Sequence, residues 1–450
     1  AIDFIASNRG TVECADLRAP AGSGAIGIAM DRNWPGPAFI GDVRIEGFDV
    51  GLSLRHHYQY GMTIEGLTLR GQRKVGVSTD NNMLAMRRVD YEGSVPFYRG
   101  NKGSSFISLL DSKLVGKDAT GPALVSEGFV NLRRVEISGF TLALDDTSKA
   151  NRDLAMPTTK DPISHDQGAT FAPEGTARAL DLPIEDAPFI RPADPGDWTP
   201  GGATGASLQA AIDAGAEYLY IQGAVTLDQP LIVRNRVKLI LGLSAQLKGL
   251  GGQVAVRIED GQAKDVVFDQ IFVDGIIENA SSRGFTLRHG DLGGFRGTGT
   301  GGRSHIVDVI GKGYDIHPGH TFWARQLNAE FGNEPLFTNA GTSVILGFKM
   351  ESSTRNDAKG ETGTPSLVNK DGGRLELFAG LLYTLGSKKE HSPIVPAFTN
   401  TKGSIALSWR HNGIPDTWYR QILRIGDGEG ETFTRDQIKH NGLALLSDQR

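Results

Sequence analysis

The chain has 450 residues, 39% hydrophobic and 22% charged, with a net charge of −5. At ~150 residues per domain this allows about three units, or two if the fold is elongated and all-β. No run of 18 apolar residues exists, which excludes a membrane-spanning helix. The mild negative charge disfavours nucleic acid as a partner, and the single cysteine, Cys14, excludes a disulfide framework or a zinc cluster. Glycine is abundant, 59 residues, about twice the usual ~7%, without a collagen period. The opening residues Ala1–Ala6 lack the basic start and longer apolar run of a signal peptide.

The first third is organised by a repeat. Val43-Arg-Ile-Glu-Gly47, Leu67-Thr-Leu-Arg-Gly71, Val89-Asp-Tyr-Glu-Gly93, Ser112-Lys-Leu-Val-Gly116 and Val135-Glu-Ile-Ser-Gly139 share one pattern, with glycines 24, 22, 23 and 23 residues apart. Alternation puts one side chain inward and the next outward, as in a strand. A glycine after the strand lets the backbone turn a corner. Such a repeat cannot bury its apolar face alone and must stack on its neighbours. This predicts a parallel β-helix over residues 1–150, with Ile45, Leu69, Tyr91, Leu114 and Ile137 in one internal ladder. No cap precedes Gly10 and the first coil begins mid-pattern, so the opening coils are expected to be missing.

Residues 151–200 carry eight of the 20 prolines and no apolar alternation. They read as an extended, proline-rich linker lying across the surface. Ser207–Gly215 follows as a short helix, with Ser207 as N-cap, Gly215 as stop, and Leu208, Ala211 and Ile212 on one apolar face. Strand signals then run from Tyr218 to Trp409, so residues 201–450 read as a second parallel β-helix closed by that helix. The fold class is all-β: two tandem right-handed parallel β-helices.

The chemistry is expected on two segments, Trp323-Ala-Arg-Gln-Leu-Asn-Ala-Glu330 and Ile345-Leu-Gly-Phe-Lys-Met-Glu351. With Leu327, Ala329, Phe348 and Met350 inward, Gln326, Asn328, Glu330, Lys349 and Glu351 point outward. The spacing from Glu330 to Glu351, 21 residues, is about one coil. The two carboxylates then occupy equivalent places on adjacent coils, the pair that glycoside hydrolysis requires. The structural alternative is two solvated glutamates with Lys349 pairing one of them. Adjacent strands lie only ~4.8 Å apart, whereas inversion needs carboxyls ~6.5–9.5 Å apart, so the side chains are expected to splay or a bulge to separate them. In the first unit the register stacks Gln72 on Ser94, where corner hydrogen bonding is the simpler reading. The rings Trp34, Tyr58, Tyr60 and Trp323 could stack on sugar or serve packing. Histidines and aspartates show no metal-ligand spacing, and no cofactor is expected.

These residues resemble glycoside hydrolase family 55, the tandem β-helix β-1,3-glucanases. The resemblance rests on Asn8-Arg-Gly-Thr-Val-Glu13, Asn33-Trp-Pro-Gly-Pro37, Val43–Asp49, Leu67–Arg73, Ser94-Val-Pro96, Trp323–Glu330, Leu346–Glu351 and Gly373–Tyr383. Ala324-Arg-Gln-Leu-Asn-Ala-Glu330 is the most specific of them. The resemblance implies inverting cleavage of β-1,3-glucan in a cleft between two β-helices by a secreted enzyme, taken as a monomer. It matches Glu351 to the general acid, Glu330 to a residue that holds the nucleophilic water, and Gln72 and Ser94 to contacts of that water. Gln326, Asn328, Lys349, Trp323 and Tyr58 are the candidate substrate-binding residues. Two alternatives stand: a non-catalytic carbohydrate-binding β-helix, in which the carboxylates need not converge, and a β-helical polysaccharide lyase, which needs a calcium site and a basic subsite.

Overall fold

In a computed structural model of the chain, residues 1–20, 22–56, 60–147, 154–166, 168–170, 178–192, 194–330, 335–353, 365–385, 395–413, 418–428, 430–437 and 442–449 are described. The chain is an all-β solenoid of mostly parallel strands. In the first half one sheet runs from Ile2–Asp3 through Gly24–Ala29, Phe48–Leu54, Val75–Thr79, Tyr98–Gly100 and Leu124–Ser126 to Leu144–Asp146. A second contains Thr11–Glu13, Ala38–Glu46, Gly61–Arg70, Asp90–Gly93, Phe106–Gly116 and Phe129–Ser138. From Trp198 onward the described strands form one continuous hydrogen-bonded network.

The repeat produces the ladder it predicts. Ile45 pairs with Leu69, Leu69 with Tyr91, Tyr91 with Leu114 and Leu114 with Ile137, all in parallel register, and all five are buried. Leu69 sits mid-ladder with no exposed surface. Leu69→Ala is expected to cost about 2–5 kcal/mol through lost burial and a residual cavity. A lowered denaturant midpoint at unchanged m-value would register it.

The corners are not all where glycine marks them. Each long strand of the second sheet bends at one residue in the left-handed region. Asp42 (φ 49°), Gly66 (74°), Arg88 (55°), Asp111 (48°) and Arg134 (51°) stack at this bend from coil to coil. The second half repeats the device with His289, Asp308, Gln326, Gly347 and Ala379. One left-handed residue redirects a strand without ending its ladder. Gly347 has a second reason to be glycine: a Cβ there would stand 2.0 Å from Thr63 Oγ1 of the first half.

The helix spans Gly205–Asp213, and its N-cap is Thr204, not Ser207. Ser207 is the third helical residue and closes a capping box, since each side chain accepts the other's backbone N–H at 3.1 Å. Leu208 and Ile212 plug the apolar core that runs from Leu208 to Leu446. A separate core runs from Ala6 to Ile163.

Residues 151–200 differ from the expected surface linker. Leu154–Met156 and Ile163–Asp166 add antiparallel strands to the two first-half sheets, and Gly168–Thr170 pairs with Gly442–Asp448. Residues 180–186 then run extended between the halves, with Leu182 fully buried. The reason is hydrogen bonding. The Glu376 carboxylate accepts the backbone N–H groups of Leu180, Asp181 and Leu182 at 2.8, 3.0 and 2.9 Å. Arg133 bridges the Leu182 carbonyl and Glu376, both at 2.7 Å. Buried backbone groups must find partners, and these side chains supply them. Around Leu182 a third apolar cluster joins Met83, Phe106 and Leu110 to Trp323, Leu346 and Phe378.

Candidate active site

The strand Thr321–Glu330 turns at Gln326, and its two sections face different surroundings. Before the corner, Arg325 reaches the first half and bonds Glu65 at 2.8 Å, with Arg87 on the other Glu65 oxygen. Burial alone would raise the Glu65 carboxyl; Arg325 and Arg87 outweigh it and pull it down to about 2. After the corner the outward positions form two rows along the solenoid. Asp291, Ile310, Asn328, Lys349, Leu381 and Arg410 stack in one. Glu330, Glu351, Tyr383 and Asn412 stack in the other.

Glu330 and Glu351 are therefore register partners on adjacent coils, as their spacing predicts. They do not splay. Both converge on Lys349, whose Nζ bonds Glu330 Oε1 at 2.8 Å and pairs closely with Glu351. Asn328 Nδ2 donates to the same Glu330 oxygen at 2.8 Å. The Lys349 ammonium also lies 5.5 Å from the Tyr383 ring centre. All four polar residues are buried, the glutamates 7–8% exposed. Burial pushes the Glu351 carboxyl up; Lys349 pulls it down, the neighbouring Glu330 adds to the rise, and the net direction is upward. Two oxygens on one ammonium lie within about 6 Å of each other, the sum of two charge-assisted hydrogen bonds. That is closer than the ~6.5–9.5 Å of an inverting pair.

A first-half segment to which the sequence reading assigned no site residue meets this cluster. Asn8 accepts from Asn328 Nδ2 through its backbone carbonyl and from Lys349 Nζ through Oδ1, both at 3.0 Å. Arg9 follows, paired with Asp291 at 3.0 Å and lying over the Phe272 ring at 4.5 Å. Burial raises the Asp291 carboxyl, Arg9 opposes the shift, and Glu330 reinforces it. Asp291 stands three coils before Lys349 in the same row, so coil arithmetic could have found it. Asn8 opens a segment that carries the resemblance, but no repeat or spacing places it beside Lys349.

The remaining predicted residues are placed elsewhere. Gln72 is buried in the first half, where its Nε2 donates to the Ile45 carbonyl at 3.1 Å, and Ser94 is exposed. Among the described residues no hydrogen bond or ion pair joins either of them to Glu330 or Glu351. Trp323 lies before the corner, stacked on His305 at 4.8 Å and donating to the Pro183 carbonyl at 2.9 Å. Its face is occupied by packing. Gln326 is buried, with its backbone N–H donating to Thr63 Oγ1 at 3.0 Å. Tyr58 lies outside the described residues. Trp34 is 49% exposed, with its ring 5.8 Å from Tyr60. No protein-family model matches the chain, and no curated protein matches it.

Proposed function

We propose that the chain is a glycoside hydrolase of the family 55 type: a secreted, monomeric enzyme that cleaves β-1,3-glucan by inversion, in a cleft between two tandem right-handed β-helices. The observation that carries this reading is the register-paired Glu330 and Glu351, with the Glu351 carboxyl raised and a lysine between them. Glu351 keeps its proton to higher pH than an ordinary glutamate and gives it to the leaving glycosidic oxygen. Glu330, oriented by Asn328 and Lys349, polarises the attacking water. The Lys349–Glu351 pair must open to admit the glycosidic oxygen, and that opening widens the carboxyl separation towards the inverting range. Gln72 and Ser94 have no described contact that supports a share in holding the water.

The lysine bridge also favours a second reading, a non-catalytic carbohydrate-binding solenoid in which Glu330, Lys349 and Glu351 are a structural ion cluster. Reducing-sugar release separates the two. Release from β-1,3-glucan, with none from β-1,4-glucan or polygalacturonate, is expected of the hydrolase. Binding of β-1,3-glucan without release would establish the second reading, and cleavage of polygalacturonate would point to a lyase.

A further inference from the structure

A cluster of titratable groups outside the glutamate pair joins the two halves of the chain. His289 and Asp308 are stacked left-handed corner residues on adjacent coils, φ 52° and 53°. The imidazole lies between two carboxylates: Nε2 is 2.8 Å from Glu13 Oε2, and Nδ1 is 3.2 Å from Asp308 Oδ2. Glu13 belongs to the first-half strand Thr11–Glu13 and also pairs with Arg288 at 2.6 Å. The other Asp308 oxygen accepts the Gly10 N–H at 3.0 Å. Arg9 donates to the His289 carbonyl at 3.2 Å and pairs with Asp291. Asn8 then reaches Asn328 and Lys349. Residues 8–13 are thus tied at successive points to the second half, and the last tie is to the lysine that holds both glutamates.

We infer that Glu13, His289 and Asp308 form a charge clamp that fixes residues 8–13 on the second half, making His289 a positioning residue for Lys349. A doubly bonded imidazolium donates to both carboxylates at once; a neutral imidazole has one N–H and leaves the Glu13 or the Asp308 oxygen that faces it without that donor. The charged groups facing His289 are Glu13 from the first half and Asp308 from the next coil, with Arg288 and Asp291 on its own coil and Arg9 across it. Burial pulls the imidazole down, and the hydrogen bonds to Asp308 and Glu13 outweigh it, carrying it to about 9. A pKa raised above the unfolded ~6.5 gives stability that is complete below that pH and is lost as pH rises through about 9. The clamp therefore holds at neutral pH and releases in alkali.

The clamp's effect on turnover rests on the hydrolase reading, but its effect on residues 8–13 does not. The Gly10 amide is its direct reporter. Hydrogen exchange of the full chain, corrected for the intrinsic rate, is expected to show Gly10 protection constant below pH ~6.5. Protection then steps down at least tenfold as pH rises from there through about 9, and is level above it. In His289→Gln, protection at neutral pH is expected to be at least tenfold lower, with no step. A wild-type profile without a step, or a step that persists in His289→Gln, would overturn the clamp. Should His289→Gln fail to fold, Asp308→Asn removes one carboxylate and must move the step to lower pH; an unmoved step also overturns it. With β-1,3-glucan as substrate, His289→Gln is expected to lower turnover already at mildly acidic pH, where the Glu351 acid is loaded, and undiminished turnover there would overturn the positioning role. A step in exchange without glucan turnover at any pH would sink the hydrolase reading and leave the clamp standing.

Discussion

Glu351→Gln is expected to lower β-1,3-glucan turnover about 10²–10⁴-fold, the usual contribution of a positioned general acid. The substitution keeps the side chain's shape and removes its proton. An aryl glucoside with a good leaving group needs little protonation, so its turnover should fall far less. Stability should not suffer, because Lys349 keeps Glu330 as a partner at 2.8 Å and one buried carboxyl is gone. The pH dependence has a definite sign. Burial and the neighbouring Glu330 raise the Glu351 carboxyl despite Lys349, so the acid is loaded below its raised pKa and activity falls as pH rises through it. In the variant that limb should disappear. Undiminished glucan turnover by Glu351→Gln would remove Glu351 from the mechanism, and equal losses on both substrates would point to misfolding or lost binding.

Glu65→Gln is expected to destabilise the chain by about 3–5 kcal/mol at neutral pH, the usual cost of breaking a buried ion pair from one side. Glu65 is the described carboxylate partner of Arg325, which is 1% exposed and spans the contact between the halves. Removing the charge strands a buried guanidinium. The double variant Glu65→Leu with Arg325→Met should recover much of the loss, because apolar replacement of both partners removes the stranded charge. Acid should act in the same direction. Burial alone would raise Glu65, but Arg325 and Arg87 hold it at about 2. Its contribution is therefore complete above the unfolded value near 4.3 and is lost as pH falls towards 2. Chemical denaturation midpoints at pH 7, 4 and 2.5 read both effects; a Glu65→Gln midpoint within error of wild type would mean that this contact is solvated.

The internal ladder was legible because its signal is local and repeated. Leu69, Tyr91 and Leu114 each stand two residues before a glycine, and pairing carries that regularity from coil to coil. The glutamate pair was legible for the same reason, since 21 residues is one coil there. The other corner was not: Arg88, Asp111 and Arg134 adopt left-handed backbone without glycine, and nothing in their type separates them from ordinary polar positions. The burial of Leu182 in the extended segment 180–186 was not legible, because the proline content is local, whereas the partners Arg133 and Glu376 are 243 residues apart. The convergence of the carboxylates was missed because the expectation used strand spacing alone, and Lys349 draws both side chains to one point. Asn8 and Lys349 lie 341 residues apart, and only packing of the two halves brings them together.

Proton NMR of β-1,3-glucan during its first turnovers by the wild-type chain tests the two-carboxylate hydrolase most directly. New reducing-end signals should appear, the α-anomer first, and then mutarotate, since inversion at a β-linked carbon releases the α-sugar. A β-anomer appearing first would make Glu330 the nucleophile of a retaining reaction, the outcome that a carboxyl separation of ~5–5.5 Å serves. A glucan spectrum that does not change at mildly acidic pH, with the chain folded, would contradict catalysis by Glu330 and Glu351.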